Sequence, residues 1–370
     1  MSLQEEIDKK AKEIQVDGYP MSIGELANMY KDGELKVNPE FQRFFRWSDS
    51  QKTKLIESML LGIPIPPIFV AHGEKGIWDV IDGLQRLSTI FEFMGLLKSS
   101  DDTLKPPSKL LGTKFLPSLE NKVWENLDDP ENSFTQELRI DFKRSKFDIK
   151  IIKKTSDKDA KYELFQRINT GGSKLSDQEV RNCLLIMVNR DFYLWAAELV
   201  KYQPFINCIP LSDKQQLEQF NMEILMRYLV IRHADLTKIK GNEDIGEFIS
   251  EEIINIAENG LIDLQREEEV FHKTFEYLDR ALSEDVFRKF DHEKGKFRGA
   301  FLMPAFEVII AGLSENIDDI ITNDPEEMSE KIKNIYNSPQ YLSITARGGA
   351  RPITRLKELA TLSKGVFMNG

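Results

Sequence analysis

Apolar and polar positions follow two periods along this chain, and the places where the period changes mark its elements. IWDVI at 77–81 is short, apolar and β-branched, the pattern of a strand. Gly83 follows where the chain must turn. Leu84, Leu87, Phe91 and Met94 then recur at helical spacing and line one face. The stretch 77–93 thus predicts a strand, a sharp turn and a helix. Such a turn sets backbone N–H groups at a helix N-terminus, where an anion is favoured. Asp82, Gln85 and Arg86 lie between the two elements.

The same reading extends to the flanks. Residues 2–15 form a charged helix or arm. Ser22 with Glu25 makes a capping-box pattern before a helix at 23–30. Leu35–Trp47 begins extended and breaks at Asn38-Pro39. Ser48 with Gln51 caps a helix over 49–61, with Leu55, Ile56, Met59 and Leu60 on one face and Gly62 as its stop. A strand over 68–71, a turn at 73–76 and the strand 77–81 form a hairpin that feeds the corner. Residues 99–135 are rich in Pro, Ser and Asp and read as a long insertion with little regular structure. FDIKII at 147–152 alternates as a strand does. Residues 157–168 are helical and run into the turn Asn169-Thr170-Gly171-Gly172. Ser176 with Glu179 caps a helix whose apolar face is Val180, Cys183, Leu184 and Met187. From there to about residue 336 the periodicity is helical, and the tail 343–367 ends in a last helix. The expected class is α+β, with an α/β part over 1–172 and a mostly α-helical part over 173–370.

Composition narrows the class of protein. With 41% apolar and 30% charged residues the chain has an ordinary globular make-up. There is no run of about 18 apolar residues, so no membrane span is expected. The polar start MSLQEEIDKK is not a signal peptide, and the two cysteines, Cys183 and Cys208, make no disulfide framework. A cytoplasmic location is the default. The net charge of −11 rules out a basic field over the whole chain. Nearly all of it comes from 243–291, where fifteen Asp/Glu face five Lys/Arg, a pattern read as the solvated faces of helices.

Three segments carry candidate chemistry. In the corner, Asp82 can hold a metal or orient a water, Gly83 lets a phosphate approach the backbone, and the planar fork of Arg86 can clamp a phosphate. The alternative is plain helix architecture, with Asp82 as N-cap and Gln85 at the third helical position. Gln42, Arg43 and Arg46 alternate with Phe41, Phe44, Phe45 and Trp47. They can reach a ligand's phosphates or simply snorkel out of an aromatic core. Asn169 and Thr170 can close over a ligand or merely end one helix before the next. The chain holds no GxxxxGK[ST] loop, no cysteine–histidine cluster, and four scattered histidines, His72, His233, His272 and His292.

Taken together, NPEFQRFFRW, GIPIPPIFV, WDVIDGLQRLSTIFEF and FQRINTGGSKLSDQEVRN, in that order, resemble the N-terminal domain family of GmrSD-type modification-dependent restriction enzymes, a ParB-like family. The likeness covers about residues 20–190. It implies a ParB/sulfiredoxin-like fold that binds, and in several members hydrolyses, a nucleoside triphosphate. The family motif reads Asp-Gly-Gln-Gln-Arg. Asp82, Gly83, Gln85 and Arg86 match it, and Leu84 replaces the first glutamine, which favours binding over turnover. The resemblance assigns Asp82, Gln85 and Arg86 as catalytic candidates. It assigns Gln42, Arg43, Arg46, Gly83, Ser88, Thr89, Asn169 and Thr170 as nucleotide contacts, with Mg²⁺ arriving on the triphosphate and touching Asp82.

Family nucleases usually carry a further HNH domain, and this sequence lacks its histidines. The leading expectation is therefore a nucleotide-binding, NTP-hydrolysing component of restriction or anti-phage defence, beside a separate nuclease partner and with a homodimer as candidate assembly. The second is a non-catalytic DNA- or partner-binding module. It would use Lys143, Arg144, Lys146, Lys150, Lys153 and Lys154, together with Arg347, Arg351 and Arg355. The third is a ParB-like DNA-nicking nuclease.

Overall fold

The computed structural model describes residues 2–5, 16–37, 47–72, 76–99, 102–152, 176–212, 215–216, 219–314, 317–346 and 351–367. Gln42, Arg43, Arg46, Lys153, Lys154, Asn169, Thr170, Arg347 and the helix expected over 157–168 lie outside the described residues. The chain divides into two compact units, Met1–Leu175 and Ser176–Gly370. The architecture is mixed α+β, with the larger sheet in the first unit and a helical second unit.

The first unit is built on a five-stranded sheet in the order β1-β5-β3-β4-β2. Its strands are β1 (Val16–Ser22), β2 (Leu35–Lys36), β3 (Ile68–His72), β4 (Trp78–Asp82) and β5 (Lys146–Ile152). β1 pairs antiparallel with β5, and β3 antiparallel with β4, whereas β5–β3 and β4–β2 are parallel. The apolar pattern does not predict β1, because VDGYPMS carries Gly18 and Pro20. Both residues suit its place at the sheet edge. A Cβ at Gly18 would lie 2.6 Å from the Ile149 carbonyl oxygen, so the close pairing with β5 needs glycine there.

Among the described residues, four α-helices accompany this sheet. The first, α1 (Ile23–Lys31), starts at Ser22, whose hydroxyl accepts from the Glu25 N–H at 3.2 Å. The second, α2 (Asp49–Leu60), opens on a complete Ser48–Gln51 capping box and stops at Gly62, where φ is +68°. The third, α3 (Leu84–Phe93), is buried on nearly every side. Phe91 stacks on Tyr30 at 4.6 Å, and Phe93 sits edge-on to Trp124, Phe134 and Phe142. The insertion 99–135 has a single 3-10 turn, Pro117–Leu119, yet it is anchored. The Leu111 N–H donates to Thr53 Oγ1 at 3.1 Å, and Trp124 and Phe134 reach the core. A fourth helix that the periodicity does not predict, α4 (Gln136–Arg144), is capped by Thr135.

In the second unit lie α5 (Asp177–Val188), α6 (Arg190–Leu199), α7 (Gln203–Cys208), α8 (Phe220–His233), α9 (Ile245–Asn259) and α10 (Leu264–Leu282). They are followed by α11 (Met303–Leu313), α12 (Ile317–Ile320), α13 (Pro325–Ile335), α14 (Pro339–Ala346) and α15 (Pro352–Phe367). A short hairpin interrupts this series, β6 (Lys289–Asp291) with β7 (Lys296–Arg298), where the sequence predicts helix. Asp291-His292-Glu293-Lys294-Gly295 supplies the turn, with Gly295 at φ +60°.

The apolar stripe expected on α5 is corrected by the structure. Cys183 and Leu184 are buried, but Val180 and Met187 are only half-buried, while Gln178, Arg181 and Asn182 are buried outright. A network of charges makes this tolerable. Arg181, with no exposed surface, pairs with Glu223 on α8 and donates to Gln178, to Ser250 Oγ at 3.1 Å and to the Gly246 carbonyl at 3.2 Å. Glu223 also takes Arg227 at 2.7 Å, and Arg227 and Arg355 both reach the buried Glu307 at 3.3 and 3.2 Å. Burial pushes the Glu223 carboxyl up, but Arg181 and Arg227 outweigh it and hold it below the usual range. At Glu307 burial wins over its arginines, and the carboxyl is raised.

Candidate functional site

The corner is set by how β4 ends. Along the β3–β4 ladder, Phe69 faces Asp82 and Val70 faces Val80, so Ile81 is an extra residue and β4 bulges there. Both Val80 and Ile81 are consequently buried, and Asp82 closes the strand with its side chain part-exposed. Gly83 then adopts φ +92°, ψ +11°, a left-handed conformation that turns strand into helix. Space forbids a side chain there as well. A Cβ would lie 3.0 Å from Ile68 Cγ1 and 3.2 Å from Arg86 Nη2.

Gly83 is the N-cap of α3, and no side chain among the described residues caps the first turn. The reading of Asp82 as N-cap, with Gln85 at the third helical position, is corrected accordingly. Asp82 remains in the strand, and its carboxylate takes Arg86 Nη2 at 2.7 Å. The N–H groups that open α3 therefore have no side-chain acceptor among the described residues.

The other motif residues occupy distinct places. Arg86 is 9% exposed, and its Nη1 donates to the Pro66 carbonyl at 2.7 Å. The guanidinium thus ties the run before β3 to the end of β4, and it positions the corner. Gln85 is half-buried and makes no side-chain hydrogen bond to a described residue. Leu84, the departure from the motif, is buried in the core. Thr89 is buried too. Ser88 is 9% exposed, and its Oγ has no hydrogen-bond partner among the described residues. Ser88 lies one turn beyond Leu84 on the same helix face, and helical side chains lean toward the N-terminus.

This arrangement suits a phosphate. It offers N–H groups with no described side-chain acceptor at the positive end of a helix, and a buried hydroxyl with no described partner on the same helix. Pro66 and Ile68, both in the GIPIPPIFV segment, also contribute to the corner. Their contacts to Arg86 and Gly83 bring them in.

The remaining candidates are dispersed. Among the basic residues, Lys143, Arg144 and Lys146 are exposed and Lys150 is half-buried. Lys143 lies 5.8 Å from the Trp124 ring centroid. Within the second unit, Arg351 donates to the Asn242 carbonyl at 2.8 Å and Arg355 serves Glu307. The four histidines have separate surroundings. His72 sits edge-on to Trp78, His272 lies 4.1 Å from the Tyr202 ring, His233 bonds Glu267 at 2.9 Å, and His292 meets the Lys333 carbonyl at 3.0 Å. Among the described residues no three His, Cys, Asp or Glu side chains gather as a metal site. No helix among them is long and apolar enough to cross a membrane. Burial pushes the thiols of both Cys183 and Cys208 upward, which leaves them unreactive.

Comparison with known proteins identifies the segment that holds the corner. Residues 23–186 match the family model described as the GmrSD restriction endonuclease, N-terminal domain. The match points to a restriction or anti-phage defence context. No curated protein matches the chain.

Proposed function

We propose that this GmrSD-type domain binds a nucleoside triphosphate at the corner Asp82–Ser88, as the nucleotide-responsive part of a DNA restriction or anti-phage defence system. The observation that carries the reading is Gly83. Its left-handed turn leaves the first-turn N–H groups of α3 without a side-chain acceptor among the described residues. These groups neutralise phosphate charge without needing a side chain to move. Ser88 supplies a buried hydroxyl that lacks a partner among the described residues. Asp82 is the one carboxylate of the motif and is bound to Arg86, so a divalent ion would come with the triphosphate, largely hydrated, and touch Asp82 at most. Such an ion would supply charge neutralisation at the phosphates.

The family's resemblance to NTP-hydrolysing members extends the reading to turnover, with Asp82 and Gln85 orienting water. Leu84 weakens that extension, because its side chain is spent on the core. Calorimetry with each ribonucleoside triphosphate and Mg²⁺ tests the proposal. Wild type is expected to bind one of them, and Asp82→Ala and Arg86→Ala to bind at least tenfold more weakly, because each releases the corner's brace. Absence of binding in wild type, or equal binding in folded variants, sinks it.

A second reading, contact with a nucleic-acid backbone, is favoured by the β6–β7 hairpin. Its register places Lys289 opposite Arg298 and Asp291 opposite Lys296, so three cations share a face with one carboxylate. Asp291 is itself bound by Arg298 at 2.8 Å. Replacing Lys289 and Lys296 by Gln is expected to lower the slope of log affinity against log salt by about 1 per residue. An unchanged slope removes the hairpin from any such interface.

A further inference from the structure

The first unit has a concave site at the other end of α3 from the corner. It is a cavity of about 300 Å³. One wall is a single face of α1, since Gly24, Ala27, Asn28 and Lys31 are spaced i, i+3, i+4 and i+7. Gly24 and Ala27 are the small residues of this wall. Its floor is apolar, with Met94 and Trp124 both buried. Two lysines line it, Lys31 from the last turn of α1 and Lys143 from the last turn of α4.

The helix dipoles favour a cation at each of these positions. They do not account for the convergence of both cations on one apolar hollow. Neither lysine has an ion pair with a described residue, although Lys143 lies 5.8 Å from the Trp124 ring centroid. The exposed carboxamide of Asn28 adds a donor and an acceptor on the same wall. A concave apolar floor with a few converging polar groups is how small-ligand sites are built.

We propose that this cavity binds a small organic anion, with its phosphate or carboxylate between Lys31 and Lys143 and its apolar body against Met94 and Trp124. The site is independent of the nucleotide corner. The motif at 82–86 contributes nothing to it, and α3 (ten residues, about 15 Å long) separates the two.

Calorimetry on the full chain tests the proposal with phenyl phosphate as probe, and with inorganic phosphate and benzyl alcohol as its two halves. Phenyl phosphate is expected to saturate one site per chain and to bind at least tenfold more tightly than either half. Lys31→Gln and Lys143→Gln should each weaken it at least tenfold. Gly24→Leu should abolish it while the melting temperature holds or rises. A Cβ at Gly24 meets nothing nearer than the Lys143 carbonyl oxygen at 3.5 Å, so the backbone accepts a side chain and the rest of the leucine fills the cavity. Asp82→Ala should leave this binding unchanged. The proposal is overturned by absence of saturation, by affinity equal to that of phosphate alone, or by indifference to all three cavity variants. Loss in Asp82→Ala with retention in Gly24→Leu would overturn it too, by placing the probe at the corner.

Discussion

Gly83→Ala is the sharpest perturbation of the corner, because two separable costs fall on one atom. The first is conformational, since φ is +92° and a left-handed backbone costs a non-glycine residue about 1–2 kcal/mol. The second is steric. The added Cβ stands 3.0 Å from Ile68 Cγ1, 3.3 Å from Ile68 Cβ and 3.2 Å from Arg86 Nη2. Ile68 has no exposed surface and Arg86 is held by Asp82 and Pro66, so neither can yield freely. Overpacking of this kind costs about 1–3 kcal/mol. Gly33→Ala is the control, with φ +76° and nothing within 4 Å of a new Cβ, so it carries only the first cost. Urea unfolding of both variants, in a Trp195→Phe background, reports on the first unit through Trp47, Trp78 and Trp124. With a urea slope of about 2 kcal/mol per M, Gly83→Ala should unfold about 0.5–1.5 M earlier than Gly33→Ala. Coincident midpoints would refute the argument that Ile68 and Arg86 enclose Gly83.

Further variants probe the other charged contacts. Asp82→Asn leaves the Arg86 guanidinium without its counter-ion; the Asp82 side chain is 27% exposed, so the loss should be about 1–3 kcal/mol, below that of a fully buried pair, by the same urea assay. Arg181→Met strips Glu223 of one partner and removes the donors to Gln178 Oε1 and Ser250 Oγ, which keep only their bonds to Asn182 and to the Gly246 carbonyl, and should cost the second unit about 3–5 kcal/mol in chemical unfolding; Arg181→Lys should rescue little, because one ammonium cannot reach Glu223, Gln178, Ser250 and Gly246 together. Acid should unfold the second unit. Burial raises the Glu223 and Glu267 carboxyls, but Arg181 and Arg227 at the first, and His233 and Arg232 at the second, more than offset it. Their folded values lie below the unfolded ones, so the stability they give is present above about pH 4.3 and is lost as pH falls through the folded values. Glu307 is shifted upward, has the opposite sign and loses stability as pH rises, so Glu267→Gln should flatten the acid limb and Glu307→Gln should not.

Much of the first unit is legible in the sequence because its punctuation is local. Ser48–Gln51 and Ser176–Glu179 form complete capping boxes, Ser22 caps α1, and Gly62 ends α2 in a left-handed turn. The strand–turn–helix at the corner is legible for the same reason. What escapes local reading is decided by distant partners. β1 is a strand because an edge position tolerates Gly18 and Pro20, and Gly18 is shaped by Ile149 in β5. The polar face of α5 is buried because Glu223, Gly246 and Ser250, all far along the chain, satisfy Arg181. The β6–β7 hairpin is hidden because Lys289–Asp291 and Lys296–Arg298 are too short and too charged to show alternation. At the corner, Asp82, Gly83 and Arg86 are readable as a cluster. Their division of labour is not, because it depends on the Pro66 carbonyl and on the packing of Ile68.

Backbone hydrogen exchange of the full chain, with and without a saturating Mg²⁺–nucleoside triphosphate, tests the central claim most directly. The account predicts slowed exchange at the amides of Gly83, Leu84, Gln85 and Arg86, the opening of α3, together with loss of that protection in Ser88→Ala or Gly83→Ala at equal nucleotide concentration. Nucleotide binding that leaves these amides exchanging at the free rate, with protection confined to other segments, would contradict it.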